Sequence, residues 1–337
     1  MASRLTKFGN DLYTGERSVN FIGLRRIWLS IALVLVVLAI AVPFIRGGGN
    51  FGNGFNFGIE FRGGSQFQVA DASSIKTSLA EDAVHSVAPD AVVRVSTVGD
   101  NGLRVQSDKL TDRENQEVTT ALGTAYDTTN VTASFIGATW GADITRQALA
   151  GLGVFLVLAF ILMAIYFRTW KMSVAAMLAL LHDLVITVGV YAATGFEITP
   201  AAVIGFLTIL GFSLYDTVVV FDKIRENTSE MGDDSTRTFG ETVNLAVNQT
   251  LVRSINTGVV AALPVAAILF LGSFVLGADT LRDISLALLV GTLIGTYSTP
   301  FVASPLYALF RQGEPKIAAR DKRALQLRAK SVVAASN

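Results

Sequence analysis

Gly211-Phe212-Ser213-Leu214-Tyr215-Asp216-Thr217-Val218-Val219-Val220-Phe221-Asp222-Lys223-Ile224-Arg225-Glu226-Asn227 sets one carboxylate where an apolar helix would carry none. The uncharged run begins near Ile198, and after Asp216 charge resumes only at Asp222. At about 1.5 Å per helical residue, Asp216 lies roughly 9 Å inside the boundary that Asp222 marks. An ionisable side chain at that depth in a bilayer is costly, and its default reading is functional.

The surrounding composition fits a bilayer. Of 337 residues, 51% are hydrophobic and 16% charged, against about 25% charged in ordinary globular domains. Mean hydropathy is +0.50. Six apolar stretches, 27–45, 149–167, 172–194, 198–221, 251–273 and 284–310, approach or exceed the length that spans a membrane. The expected fold class is an α-helical polytopic membrane protein with six transmembrane helices. The first span outruns the apolar core of a signal peptide and is followed by Pro43-Phe44-Ile45-Arg46 rather than a small-x-small cleavage site, so it reads as an uncleaved anchor.

Residues 46–147 form the one long polar insertion, entered through the glycine-rich run 47–54. Strands are expected at 65–70, 91–98, 103–107 and 131–136. Helices are expected at 73–87, with Ser73 or Ser74 as cap, and at 111–126, opened by the capping box Thr111-Asp112-Arg113-Glu114. Gly99-Asp100-Asn101-Gly102 has the chemistry of a hairpin turn. The resulting order βαββαβ is that of an external α+β ferredoxin-like domain between helices 1 and 2. This segment carries 8 Lys/Arg against 12 Asp/Glu with no basic stripe, so nucleic acid is not an expected partner.

Basic residues gather in 1–26, in 168–171, in the loop 222–250 (expected to hold a surface helix) and in the tail 311–337. The positive-inside rule makes these cytoplasmic and puts 46–147 on the outer side. Formal net charge is zero, cysteine is absent, and His85 and His182 are too few for most imidazole metal clusters. Gly47-Gly48-Gly49 lacks the lysine and spacing of a phosphate loop. No metal, cofactor or ATP use on this chain is expected.

Within the spans, Asp183 shares a helix face with Thr187 and Tyr191, next to His182. Span four carries Ser213, Asp216 and Thr217. Span five carries Arg253, Asn256, Thr257 and Val260 on one stripe. Spans four and five are antiparallel, so Asp216 and Arg253 fall in the same half of the membrane and are expected to form an ion pair that a proton breaks. Burial holds a proton on a carboxylate and a nearby guanidinium releases it. Two plainer alternatives stand beside this. Arg253, about three residues from its expected span start, has the reach to snorkel to headgroups, and Asp183 or Asp216 could serve as structural carboxylates bonded to neighbouring helices. Gly291 and Gly295 suggest close helix packing, and Pro264, Pro300 and Pro305 suggest bends.

Ser213–Asn227 resembles the fourth-span signature of SecF proteins, of the SecD/SecF family of protein-export membrane proteins in the resistance-nodulation-division superfamily. Leu181–Thr187 is similar to their third span, Asn248–Thr257 to their fifth, Gly291–Thr299 with Ala303–Leu306 to their sixth, and Gly58–Ser65 to the motif after the first span. The resemblance implies partnership with SecD, the SecYEG channel and exported polypeptide, in work driven by the proton-motive force without a covalent catalytic site. It also implies proton coupling by Asp216 and Arg253, with Asp183, Thr217, Asn256 and Thr257 as supporting polar residues. Where the family motif reads Asp-Phe-Thr-Gly-Gly, this chain has Glu60-Phe61-Arg62-Gly63-Gly64, and Trp140 departs from the usual pattern of 136–143. A half-size proton-driven exporter of small molecules is the alternative of the same superfamily, and a passive scaffold is a third reading.

Overall fold

The computed structural model describes residues 4–99, 101–232, 235–272 and 279–336. Asp100 of the expected hairpin turn, the last residue of the expected fifth span and the link that follows it to 278 lie outside them. Among the described residues, six helices are long and apolar enough to cross a membrane. A short helix α1 (Arg4–Thr14) precedes the first of these, α2 (Arg25–Arg46). The chain leaves α2 through Gly48 and Gly49, both at positive φ, and one 3-10 turn at Phe51–Gly54.

A two-residue strand β1 (Asn56–Phe57) and a single turn α3 (Ile59–Arg62) lead to Gly63 and Gly64, with φ of 77° and 140°. A side chain is disfavoured in that region, and a Cβ on Gly64 would stand 2.4 Å from the Ser107 carbonyl oxygen. The two glycines therefore swing the chain into the α+β domain. There follow β2 (Gly64–Val69), α4 (Thr77–His85), β3 (Val93–Val98), β4 (Gly102–Ser107), α5 (Asp112–Ala125) and β5 (Val131–Ile136). The sheet is antiparallel with order β3-β4-β2-β5, the ferredoxin-like arrangement expected from the strand pattern. Thr111 and Glu114 make the capping box of α5. α4 starts later than expected, after Lys76 rather than at Ser73 or Ser74. Phe67, Val69, Leu103, Val105, Val118 and Leu122 are buried between the sheet and its helices.

The membrane bundle continues with α6 (Ala138–Phe167), α7 (Trp170–Thr194), a two-residue strand β6 (Glu197–Ile198), α8 (Pro200–Ser229), α9 (Phe239–Phe270) and α10 (Asp279–Ser298). A π-helical turn (Thr299–Ala303) holding Pro300 joins α10 to α11 (Ser304–Gln312), and α12 (Pro315–Ser336) ends the described chain. Pro264, by contrast, sits inside an unbroken α9. Among the described residues of 222–250 there is no separate surface helix. Residues 222–229 prolong α8, and α9 begins twelve residues before the apolar stretch, at a capping box formed by Thr238 and Glu241. Its polar first turns are held by other parts of the chain. Asn244 and Asn248 hydrogen-bond the backbone of residues 19–22, Asp321 accepts from the Phe239 amide, and Arg328 pairs with Glu241 at 2.7 Å.

α2, α6 and α9 turn Leu33, Val37, Val154, Leu158, Val260 and Leu263 outward, as lipid-facing helices do. α7, α8 and the sixth span hold the centre, packed through small residues. A Cβ on Gly189 of α7 would lie 2.4 Å from the Ala39 Cβ and 2.7 Å from its Cα, and one on Gly291 would lie 2.3 Å from Ile209. The small-residue face expected on span six is therefore a packing face.

Gly189→Ala is expected to destabilise the purified protein by about 1–3 kcal/mol, because α2 and α7 must part to admit the methyl group. Gly151→Ala gains the same helix propensity but meets nothing within 4 Å and is expected to leave the thermal midpoint in detergent unchanged or slightly raised. Equal midpoints for the two variants would refute the close-packing account.

Candidate functional site

Asp183 on α7 and Asp216 on α8 are 1% and 4% exposed, at mid-helix positions in the centre of the bundle. Their surroundings differ. Asp183 Oδ2 accepts from Ser213 Oγ of α8 at 2.5 Å and from Ser298 Oγ of α10 at 2.8 Å. Its Oδ1 lies 3.1 Å from His182 Nδ1, and His182 Nε2 lies 2.8 Å from the Tyr297 hydroxyl. With Tyr297 donating to Nε2, Nδ1 carries the proton and donates to Asp183, so every neighbour points a donor at this carboxylate. Thr187, expected on the same face, donates instead to the Asp183 backbone carbonyl.

Asp216 accepts one close hydrogen bond, and the Thr299 hydroxyl also stands beside its carboxyl. Its Oδ1 accepts from Ser254 Oγ of α9 at 2.8 Å, while Oδ2 is buried with no hydrogen-bond partner among the described residues. Thr217, one residue on, meets Thr299 hydroxyl to hydroxyl at 3.2 Å at the start of the π-helical turn. A buried polar atom without a partner calls for an explanation, and an open carboxylate oxygen is where a proton or a water can be taken up.

Arg253 does not pair with Asp216. It is exposed, and its Nη2 reaches the Tyr215 hydroxyl at 3.2 Å. Adjacent helical residues point about 100° apart, so Tyr215–Arg253 and Asp216–Ser254 form parallel contacts, one on the bundle surface and one inside it. Nor does Arg253 lie near its helix start, since α9 begins at Phe239. Asn256 is exposed and Thr257 half-buried, and neither joins the carboxylates. The structure thus gathers Asp183, Asp216 and Thr217, and leaves Arg253, Asn256 and Thr257 on an outward stripe. Sequence reading passed over Ser254, Tyr297, Ser298 and Thr299. Their signal was present as hydroxyl residues at the depth of the two aspartates, but hydroxyls are common in membrane helices. No cluster of three or more His, Asp or Glu suited to a metal ion occurs among the described residues.

The helices bearing the two aspartates meet in the 195–199 turn, and the α+β domain grips that turn. β1 and β6 pair in parallel, Asn56 with Glu197 and Phe57 with Ile198. Arg104 Nη1 of β4 reaches Glu197 Oε2 at 3.3 Å, and Gln106 Nε2 donates to Glu197 Oε1 at 2.8 Å. Arg46 donates to the Ala192 carbonyl at the end of α7. Glu60 leans into the same cluster with Oε2 buried and unpartnered. Burial, together with the nearby Glu197 charge, pushes its carboxyl above the usual range, against its backbone hydrogen bond and Arg104.

The pattern matches known proteins. Residues 116–313 match the family described as protein export membrane protein SecD/SecF, C-terminal, and residues 51–70 match the SecD/SecF GG motif. The chain is 42% identical over 330 residues to the protein translocase subunit SecF of Streptomyces coelicolor, covering 97% of this chain and 86% of that one. It is 38% identical over 333 residues to the subunit of the same name in Mycobacterium tuberculosis, covering 95% and 73%. The crystal structure of SecDF, a translocon-associated membrane protein from Thermus thermophilus, is similar with a TM-score of 0.72 and 30% identity. That likeness covers 88% of this chain, which spans 39% of the SecDF chain.

The folded state holds the Glu60 proton more tightly than the unfolded chain, whose carboxyl titrates near 4.5. The unfolded state therefore binds fewer protons above that pH, and stability is expected to fall as pH rises from about 4.5 through the raised folded value. Glu60→Gln is expected to flatten this fall and to raise the thermal midpoint at pH 8 above that of the parent. Parallel midpoint curves from pH 4.5 to 8 would remove Glu60 as their source.

Proposed function

The chain belongs to the SecD/SecF family of protein-export membrane proteins as a SecF-type accessory subunit of the Sec translocase, and we propose that Asp216 is its proton-coupling residue. The observation that carries this reading is the contrast between the two buried carboxylates. Asp183 is bonded on both oxygens, whereas Asp216 keeps one oxygen open in the interior of a membrane bundle. A carboxylate of the second kind changes its bonding when it gains or loses a proton, and α8 and α9 meet at that bond. Charge carried across the membrane field is worth about 2.3 kcal/mol per 100 mV, enough to bias states that differ by a few kcal/mol. In this reading the proton gradient is the energy source, no cofactor takes part, and the chain performs no covalent catalysis.

The chain is a multi-pass membrane protein. We assign both termini to the cytoplasm of a bacterium, residues 46–147 to the outer face of its inner membrane, and SecD, the SecYEG channel and the exported polypeptide as partners. The outward stripe supports a membrane partner. Arg253 and Asn256 are exposed on a helix whose other outward residues include Ile255, Val259, Val260 and Leu263. Ionisable and polar groups in a span ordinarily face protein or water rather than lipid, so this stripe suits a helix of SecD. Arg253 then acts on Asp216 from the subunit boundary, through Tyr215 and the partner, rather than as a direct ion pair. The reading as a half-size exporter of small molecules draws no support from relatives that are named protein translocase subunits.

Asp216→Asn is expected to abolish the part of late-stage export that depends on the proton gradient, with abundance and assembly with SecD unchanged. Persisting gradient-dependent export would sink the proposal, and loss of assembly would favour a scaffold. Ser254→Ala is expected to shift the pH profile of export by altering the single bond that Asp216 makes, whereas Arg253→Met is expected to impair export without changing the stability of the isolated chain. Normal export with Arg253→Met would leave that arginine a headgroup anchor.

A further inference from the structure

At the domain end of the bundle, a cavity of about 490 Å³ opens between α6 and α8. Its wall on one side is the aromatic segment Phe51, Phe55, Phe57 and Phe61, and on the other Leu149 and Leu152 of α6 with Val203 and Phe206 of α8. The depth follows from the helix numbering. Leu184 and Val188 on its floor lie six to ten residues below the end of α7 at Thr194, which is about 9–15 Å into the helix at 1.5 Å per residue. The flanking surfaces are of lipid-facing type, with Leu149 65% and Ile204 58% exposed. The groove is therefore reached sideways from the hydrocarbon.

One charged group lines it. Arg62 lies where α3 leads into the external domain, at the upper end of the groove, and its guanidinium makes no hydrogen bond or ion pair with a described residue. Arg62 also lines a small cleft shared with Arg94 and Asp108, so a second guanidinium stands near. Asp108 accepts from the Val92 amide. Burial first, and Arg94 next, disfavour the Arg62 charge, against Glu197 and Asp108. A cation placed in this way is stabilised by an added anion. The volume falls within the roughly 300–1,000 Å³ of ordinary ligand pockets, and an apolar trough beneath a cationic mouth is complementary to an amphiphile with an anionic head. A peptide segment would need partners for its backbone amides and carbonyls, and the lining here is almost wholly apolar side chain.

We propose that this groove binds one phospholipid from the leaflet on the external-domain side, with an acyl chain among the phenylalanines and its phosphate on Arg62, supported by Arg94. The lipid would brace the segment 51–61 against α6 and α8, next to the place where the external domain holds Glu197. The site does not depend on proton coupling by Asp216.

The test uses the full chain, purified and reconstituted in nanodiscs of mixed phosphatidylglycerol and phosphatidylcholine, then released into mild detergent for native mass spectrometry. The parent protein is expected to retain a single phospholipid, with phosphatidylglycerol favoured over phosphatidylcholine by about tenfold, because both offer the phosphate but the choline cation of the second is repelled by Arg62 and Arg94. Arg62→Gln with Arg94→Gln, both exposed positions, is expected to lose that preference while still retaining a lipid. Leu152→Trp, which fills the trough, is expected to lose retention of both lipids, with size-exclusion profile and thermal midpoint confirming a folded protein. No retained lipid in the parent, or equal retention and preference in all three proteins, overturns the proposal. A photo-crosslinking residue at 152 that captures protein rather than phospholipid in cells overturns it too, and assigns the groove to a polypeptide.

Discussion

A carboxylate between membrane helices has no water to turn to, and its hydrogen bonds must come from neighbouring helices. That requirement shapes this bundle more than any apolar contact. Ser213 and Ser298 reach the same oxygen of Asp183 from α8 and α10, which demands that those two helices lie unusually close. Gly295 allows it, because a Cβ there would stand 3.1 Å from the Ser213 Cβ, and one turn away Gly291 sits against Ile209. Packing and polar satisfaction are thus one arrangement. A larger residue at Gly291 or Gly295 would part the helices and strip Asp183 of donors, a buried loss worth about 1–3 kcal/mol for each group left unpaired.

The same helices reach the α+β domain. α7 and α8 are joined by the turn that β1 pairs with and that Arg104 and Gln106 of the sheet hold through Glu197. The sheet presents its apolar face to α4 and α5 and turns this polar face toward the bundle. The domain therefore rests directly on the turn between the two helices that bear the aspartates. Among the described residues one oxygen of Glu60 has no partner in the joint, so the joint is not fully satisfied.

Much of this was legible in the sequence, and for local reasons. Strand alternation, the capping box at Thr111 and the apolar spans depend on neighbours in the chain, and the structure has them. The depth of Asp216 was legible because charge is rare in such a run. The identity of its partner was not. A stripe of polar residues on α9 indicates the right turn of helix, but facing direction changes by about 100° per residue, and Ser254 rather than Arg253 looks inward. Apolar stretches also understate helices: α8 runs on to Ser229, and α9 starts at a capping box readable as Thr238 and Glu241. Contacts of long sequence separation left no pattern. Ser298 lies 115 residues from Asp183, and a two-residue pairing of β1 with β6 has no alternation to detect.

The unequal bonding of the two aspartates also sets which helix is least tied to them. Asp183 ties α7 to α8 and α10 through Ser213 and Ser298, and His182 adds a link to Tyr297 at the end of α10. Displacing any one of these three helices breaks bonds to a charged or polar group, each worth about 1.5–3 kcal/mol when the acceptor is ionised, with nothing nearby to replace them. Among the described residues α9 is joined to the aspartate pair by the Ser254 bond, and its outward face shows the polar stripe of Arg253 and Asn256. In the proposed reading, protonation of Asp216 acts on that bond and leaves the Asp183 knot intact. Its effect falls on the α8–α9 boundary, which the Tyr215–Arg253 and Asn227–Gln249 bonds also cross.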